Sequence, residues 1–215
     1  FGAETSLLSA VNVTDPNNMS VSGAVAVAAP AHGLAYSSFL SGNTAYVSYR
    51  YHVRAIDITT PSAMTELGSM WIEDTAMVKK VVAKDNIVFA ATRYGGLRPI
   101  NFEDQANPAF LTTVIEDRTN DVAISGNYIY AATANNGIGI VNVATANSPT
   151  LVGYATGSTD NGRYGEGVAA FGNTMVQSTW GALYFYDISS PESPTLQDTV
   201  ALVTGTSWLS LDAGH

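Results

Sequence analysis

The chain has no cysteine, so neither a disulfide framework nor a thiolate zinc site is open to it, and redox chemistry says nothing of its compartment. It is also short of charge. Asp, Glu, Lys and Arg make up 13% of the 215 residues, and only nine of these are cations against eighteen acids. A net charge of -9 repels a phosphate backbone, so nucleic acid is not an expected partner. No apolar run approaches the length of a membrane span. His32, His52 and His215 are too scattered to suggest a metal triad. Gly-x-Ser-x-Gly, a phosphate-binding glycine loop, His-Glu-x-x-His and a dinucleotide fingerprint are all missing. The first residue is Phe1, with no initiator Met and no signal peptide, and the chain is expected to be processed or excised.

What is abundant is hydrophobic residues, at 46%, together with uncharged Thr, Ser, Asn and Gly. That mixture describes a globular protein with a neutral polar surface. It is also periodic. An Asn or Asp closes each "VNV" or "IDI" triplet, at Asn12, Asp57, Asn101, Asn142 and Asp187, with intervals of 45, 44, 41 and 45 residues. Four turns share the register: Gly42-Asn43, Asp85-Asn86, Gly126-Asn127 and Gly172-Asn173. So do Pro16, Pro61 and Pro191, then Met19, Met64, Pro108, Pro149 and Pro194, then Gly23, Gly68 and Gly153.

Each unit of about 43 residues holds four stretches of strand composition, here called A to D, separated by turn chemistry. The Asn of the A-to-B turn is expected to take a positive φ in a tight hairpin. A small four-stranded sheet cannot bury both its faces alone, and stacking copies around an axis does so. The fold class predicted is therefore all-β, a β-propeller of four-stranded antiparallel blades. The expected divisions are strands C and D of a split blade in 1–32, blades at 33–75, 76–118, 119–160 and 161–205, and strand A of the split blade in 206–215. Two arrangements fit this phase: a closed five-bladed ring, or a piece of a larger propeller.

The segments "GLRPIN" (Gly96 to Asn101), "GIGIVN" (Gly137 to Asn142) and "FYDISSPESPTL" (Phe185 to Leu196) resemble the LVIVD repeat. The resemblance implies a propeller from secreted or surface-attached bacterial or archaeal proteins, often one module of something larger, and carries over no catalytic residue. Two departures stand out: Pro99 lies inside a strand C, and Asn replaces the usual Asp at Asn12, Asn101 and Asn142. The sequons at Asn12 and Asn18 accord with export.

In a propeller the B-to-C turns and D-to-A links share one face. Here that face varies between copies while the opposite one repeats, and variation on a repeated scaffold marks the binding surface. The candidate residues are Arg50, Tyr51, Arg54, Arg93, Tyr94, Arg98, Tyr164 and Trp180. The arginines could grip a carboxylate or sulfate; the alternative is that they are edge charges paired with Glu73, Asp74 and Glu116. Trp180 and Tyr164 break the repeat and could stack on a sugar ring. Asp74, Asp117 and Asp121 are the candidates for holding Ca²⁺ through oxygen. The column Tyr46, Phe89, Tyr130 and Val176 recurs at one strand position and is expected in the core. The function expected is a non-enzymatic, extracellular structural or adhesive module whose partners are other protein subunits or surface proteins. A lectin-like binder of glycans is the alternative, and a hydrolase or lyase the third.

Overall fold

The computed structural model describes residues 6–27, 35–73, 76–155 and 165–202. A two-stranded ribbon, β1 (Ser6–Asn12) and β2 (Ser20–Val27), comes first. Four four-stranded antiparallel sheets follow in chain order. They are β3 (Ala35–Ser41), β4 (Thr44–Tyr49), β5 (His52–Asp57) and β6 (Thr65–Trp71); β7 (Val78–Lys84), β8 (Ile87–Thr92), β9 (Gly96–Asn101) and β10 (Ala109–Phe110); β11 (Thr119–Ser125), β12 (Tyr128–Thr133), β13 (Ile138–Asn142) and β14 (Thr150–Ala155); and β15 (Gly167–Phe171), β16 (Thr174–Ser178), β17 (Ala182–Asp187) and β18 (Thr195–Ala201). Helix among the described residues is limited to a single 3₁₀ turn, Pro61–Ala63. The expected strand A in 206–215 lies outside the described residues.

The five anchors share one job. Each presents a side-chain Oδ1 to the backbone N–H two residues on: Asn12 to Thr14, Asp57 to Thr59, Asn101 to Glu103, Asn142 to Ala144 and Asp187 to Ser189, at 2.7–2.9 Å. A second bond then closes each turn, from the N–H of Asn18, Ala63, Asn107, Ser148 and Ser193 to the carbonyl three residues earlier. Only a short side-chain acceptor is required, which is why Asn and Asp interchange in this column.

The A-to-B hairpins depart from expectation. Gly42, Gly126 and Gly172 carry the positive φ (57°, 58° and 55°), leaving the following Asn in ordinary conformation. Only the Asp85-Asn86 turn has Asn at positive φ, with both residues left-handed (50° and 62°). In the other three turns the Asn contributes its backbone carbonyl: Asn43, Asn127 and Asn173 accept from Ile58, Val143 and Ile188, just beyond the anchors, as Asn86 does from Phe102.

Pro99 shortens one sheet. Its carbonyl accepts from Leu111 at 3.0 Å, so its nitrogen faces the same outer strand and has no proton to return. Strand β10 accordingly stops after two residues, and contact resumes only at Val114 and Ile115, against Leu97.

Burial is greatest in the two middle strands of a sheet and least in the last: β18 is exposed at all seven residues, while β8 is buried at all six. Inner strands β3, β7, β11 and β15 pack on one another in succession. Alternate side chains on each sheet face opposite neighbours. Val88 and Ala90 pack with Tyr46, Val53 and Ala55 of the sheet before, while Ile87, Phe89 and Ala91 pack with Val122, Ile129 and Val141 of the sheet after. Tyr130 and Ile140 meet Met175 and Tyr186 in the same manner, and Leu8 and Val25 of the ribbon cover Ala45 and Val47. The Tyr46, Phe89, Tyr130 and Val176 column is buried throughout, and the Tyr46 ring tilts against Phe102 with centroids 5.4 Å apart. Burial pushes the Tyr130 hydroxyl up to about 12.

The glycine column belongs to the outer strands, one residue past a β-bulge that recurs in the β1–β2, β5–β6 and β13–β14 pairs. At Gly23 and Gly68 the turn of the next sheet lies directly on the backbone: a Cβ would run into the carbonyl oxygen of Pro61 or Gln105. At Gly153 it would meet nothing within 4 Å. We predict that Gly68→Ala lowers the unfolding free energy by about 1–3 kcal/mol through this overpacking, whereas Gly153→Ala leaves it unchanged or slightly raised. Parallel urea melts check the pair, and equal losses at both positions would contradict the packing of turn on strand.

Candidate functional site

The hairpins joining the second and third strands of each sheet are tied to the links between sheets. Arg50 O accepts from Val78 N at 2.6 Å and Tyr51 O from Ile72 N at 2.7 Å; Met77 O accepts from Arg93 N, and Arg118 O from Ala134 N. Hairpins and links therefore form one face, fixed by backbone bonds beneath variable side chains.

A second device aims residues into that face. In three inner strands one residue is inserted against the neighbouring strand: Tyr36 in β3, Lys79 in β7 and Asn120 in β11. A bulge of this kind turns its extra side chain out of the regular alternation. Lys79 Nζ lies 5.4 Å from the Tyr36 ring centroid, and Asn120 Nδ2 donates to Gly165 O at 2.9 Å. Burial and the charges of Arg93 and Arg118 push the Lys79 ammonium below its usual range, with Glu166 opposing them in part.

The arginines do not form one group. Arg54 is buried and its Nη1 donates to both carboxylate oxygens of Glu66, at 2.8 Å to each, so it serves the sheet and not the face. Arg98 spans to Glu73 at 2.9 Å and to Gly95 O, a link between neighbouring sheets. Arg50 takes a left-handed backbone (φ 45°) and stacks over Tyr51 at 4.7 Å. Arg93 stays on the face, 5.4 Å from the Tyr94 centroid, and a residue absent from the expected group, Arg118, reaches the same ring at 5.8 Å. Tyr94 is 62% exposed and Trp180 63%. The indole N–H of Trp180 donates to Glu166 at 2.8 Å, which fixes the ring. Tyr164 lies outside the described residues.

Of the candidate calcium ligands, Asp117 accepts from Asn135 N, Asn135 Nδ2 and Asn136 Nδ2 at 2.7–3.0 Å and so caps a hairpin. Asp121 is 95% buried: Lys80 reaches one oxygen at 2.8 Å, and Val168 N of the next sheet donates to the other at 3.0 Å. Two sheets back in the row Ser37 acts alike, its hydroxyl accepting from Val81 N of the sheet that follows it. The inner strands are thus stitched side chain to backbone across successive sheets. Asp74 lies outside the described residues. No group of three or more acids and histidines suited to a metal occurs among the described residues. Burial and Arg54 lower the pKa of His52. Trp71, at the end of β6, is exposed.

Successive four-stranded antiparallel sheets, inner strand to outer, define a propeller-like repeat protein. Residues 32–71 and 118–156 match the LVIVD repeat model, and the resemblance carried by the turns and strands holds. No curated protein matches the chain. Among solved structures it is similar to a functionally unknown protein from Desulfotomaculum acetoxidans DSM 771, with TM-score 0.69, 12% identity, and coverage of 97% of this chain and 66% of that one. The computationally designed Ika4 protein gives TM-score 0.55 at 15% identity over 71% and 90%. Hydrazine synthase of Kuenenia stuttgartiensis gives 0.60 at 14% over 78% and 49%. The chain thus spans about half to two thirds of the two natural proteins, and at these identities the likeness is one of fold.

The Lys80–Asp121 pair yields a pH-dependent prediction. Burial raises the Asp121 carboxyl above its usual range, and the opposing pull of Lys80 and two backbone N–H groups offsets this only in part. An acid raised in this way holds its proton more tightly folded than unfolded, so its contribution to stability grows as pH falls through the folded value and is lost as pH rises past it. Lys80→Met strands the carboxylate. It is predicted to cost about 2–3 kcal/mol near neutral pH, less than for a fully buried pair because Lys80 is partly exposed, and clearly less near the acid end where Asp121 is protonated. Denaturant melts at the two pH values read this out, and a penalty independent of pH would contradict it.

Proposed function

We propose that the chain is a non-enzymatic interaction module of an exported or surface-attached protein, engaging other protein subunits laterally through its outer strands. The observation that carries this reading is β18, exposed along all seven residues from Thr195 to Ala201, with no strand paired to its outer edge among the described residues and a single charge, Asp198. Such an edge offers backbone donors and acceptors to another strand, and natural proteins ordinarily blunt it with Lys, Pro or a covering loop. Other outer strands add exposed apolar side chains: Val21, Trp71, Leu151 and Tyr154. Three of the acids are engaged structurally, Glu66 with Arg54, Glu73 with Arg98 and Asp117 with a hairpin. The two sequons and the LVIVD resemblance support export, and the five sheets read as five blades of one ring.

A second reading, saccharide binding on the hairpin face, is favoured by Trp180 and Tyr94. Both rings stand more than half exposed, and the first is held in place by its bond to Glu166. Aromatic rings so presented suit sugar stacking better than core packing.

The lateral reading predicts concentration-dependent assembly. Mass measured by light scattering across a dilution series is expected to rise above that of one chain, and Val200→Lys on β18 to return it to one chain without changing the fold. A wild-type chain that stays single and binds no surface protein at every concentration would contradict it.

A further inference from the structure

We propose that copies of this chain join head to tail, the forward face of the fourth four-stranded sheet in one copy seating on the rear face of the β1–β2 ribbon in the next. The proposal rests on the lateral reading and names the partner for it, a second copy, together with the surface that receives β18.

The repeat fixes what each face of a sheet meets. The residue just before an anchor looks back to the preceding unit: Ile56 packs towards the ribbon, Ile100 towards the first four-stranded sheet, Val141 towards the second and Tyr186 towards the third. All four are buried. Val11 holds the same place in the ribbon and is 50% exposed. Its cross-strand partner Val21, turned to the same side by the bulge at Ser22, is 66% exposed. Ser9 and Ala24, the next pair on that side, are exposed as well. Neither β1 nor β2 contains a charged residue. The rear of the ribbon is thus a small, uncharged, largely apolar face on which no sheet rests among the described residues.

The forward face of the fourth sheet shows the same gap from the other end. Residues two and four places before an anchor look on to the following sheet, and Val53, Ala55, Ile138 and Ile140 are buried there. In β17 the matching Leu183 and Phe185 are only half-buried, and Val200, opposite Leu183 in β18, is 44% exposed. The acid on this face, Asp198, already accepts from the N–H of Thr199 at 2.7 Å.

These two faces are the halves of the join that the chain makes between each of its successive units, forward apolar positions against rearward ones. Seating one on the other removes Val11, Leu183, Phe185 and Val200 from water by the contacts their counterparts already make, which is the driving force that holds the sheets themselves together. The joined surfaces differ, so the contact is heterologous, and copies close into a ring of chains or run on as a filament according to the rotation between them.

The absence of native cysteine allows a direct test by cross-linking in the full chain. Val11→Cys and Val200→Cys chains carrying tags of different mass are mixed and oxidised, with folding checked by circular dichroism. In an internal join the matching places are held by Ile100 and Met70, which share one core. A disulfide between the two variants is therefore expected in clear excess over either homodimer, and more of it at higher concentration. Val11→Lys is expected to weaken assembly in the dilution series about tenfold or more, by placing a charge in the apolar contact. A predominant cross-link between two Val200→Cys chains would overturn the ribbon as receiver and leave outer-strand association standing. A double variant that forms its disulfide within one chain at every concentration would overturn the second copy in favour of closure by the chain itself. Absence of any cross-link, with the wild-type chain single throughout, would sink both readings.

Discussion

A sheet four strands wide has two faces, and in this chain both are apolar. That constraint organises everything else. Phe89 looks forward to the third four-stranded sheet while Val88 and Ala90, its neighbours in β8, look back to the first, so no sheet has a core of its own. Each core is shared between two sheets, in the way expected of repeat proteins whose stability resides in interfaces between units. The outer-strand glycines and the stitching of Ser37 and Asp121 to the next sheet are further consequences of the same close stacking.

Much of this is legible in the sequence because it is repeated. The anchors Asn12, Asp57, Asn101, Asn142 and Asp187 can be found by spacing alone, and their common role as turn acceptors explains why the column tolerates either side chain. Pro99 is visible as an irregularity, and its missing donor accounts for the two-residue strand beside it. The positive φ at the hairpins falls on the Gly and not on the expected Asn in three cases: the two occur together there, and composition does not say which of two adjacent residues bends.

The candidate site is harder to read, for a physical reason. Whether a strand residue faces a neighbouring sheet or the open surface depends on register, and a single inserted residue reverses it. Arg54 and Arg93 look alike in sequence, yet strand alternation buries the first against Glu66 while the hairpin leaves the second beside Tyr94. Lys79 escapes notice because nothing in the sequence marks a bulge at "VKK", and Arg118 because it sits in a link between acids. The scaffold is therefore written in the recurring residues and the variable face in the irregular ones.

The central claim is that neighbouring sheets stabilise one another across shared cores. Amide hydrogen exchange on Phe89→Ala tests it most directly, since Phe89 belongs to β8 but packs against the following sheet. The account predicts that protection falls together in β7–β10 and in β11–β14, with a loss of about 3–5 kcal/mol for the large-to-small change. Loss confined to β7–β10, with β11–β14 as well protected as before, would contradict it.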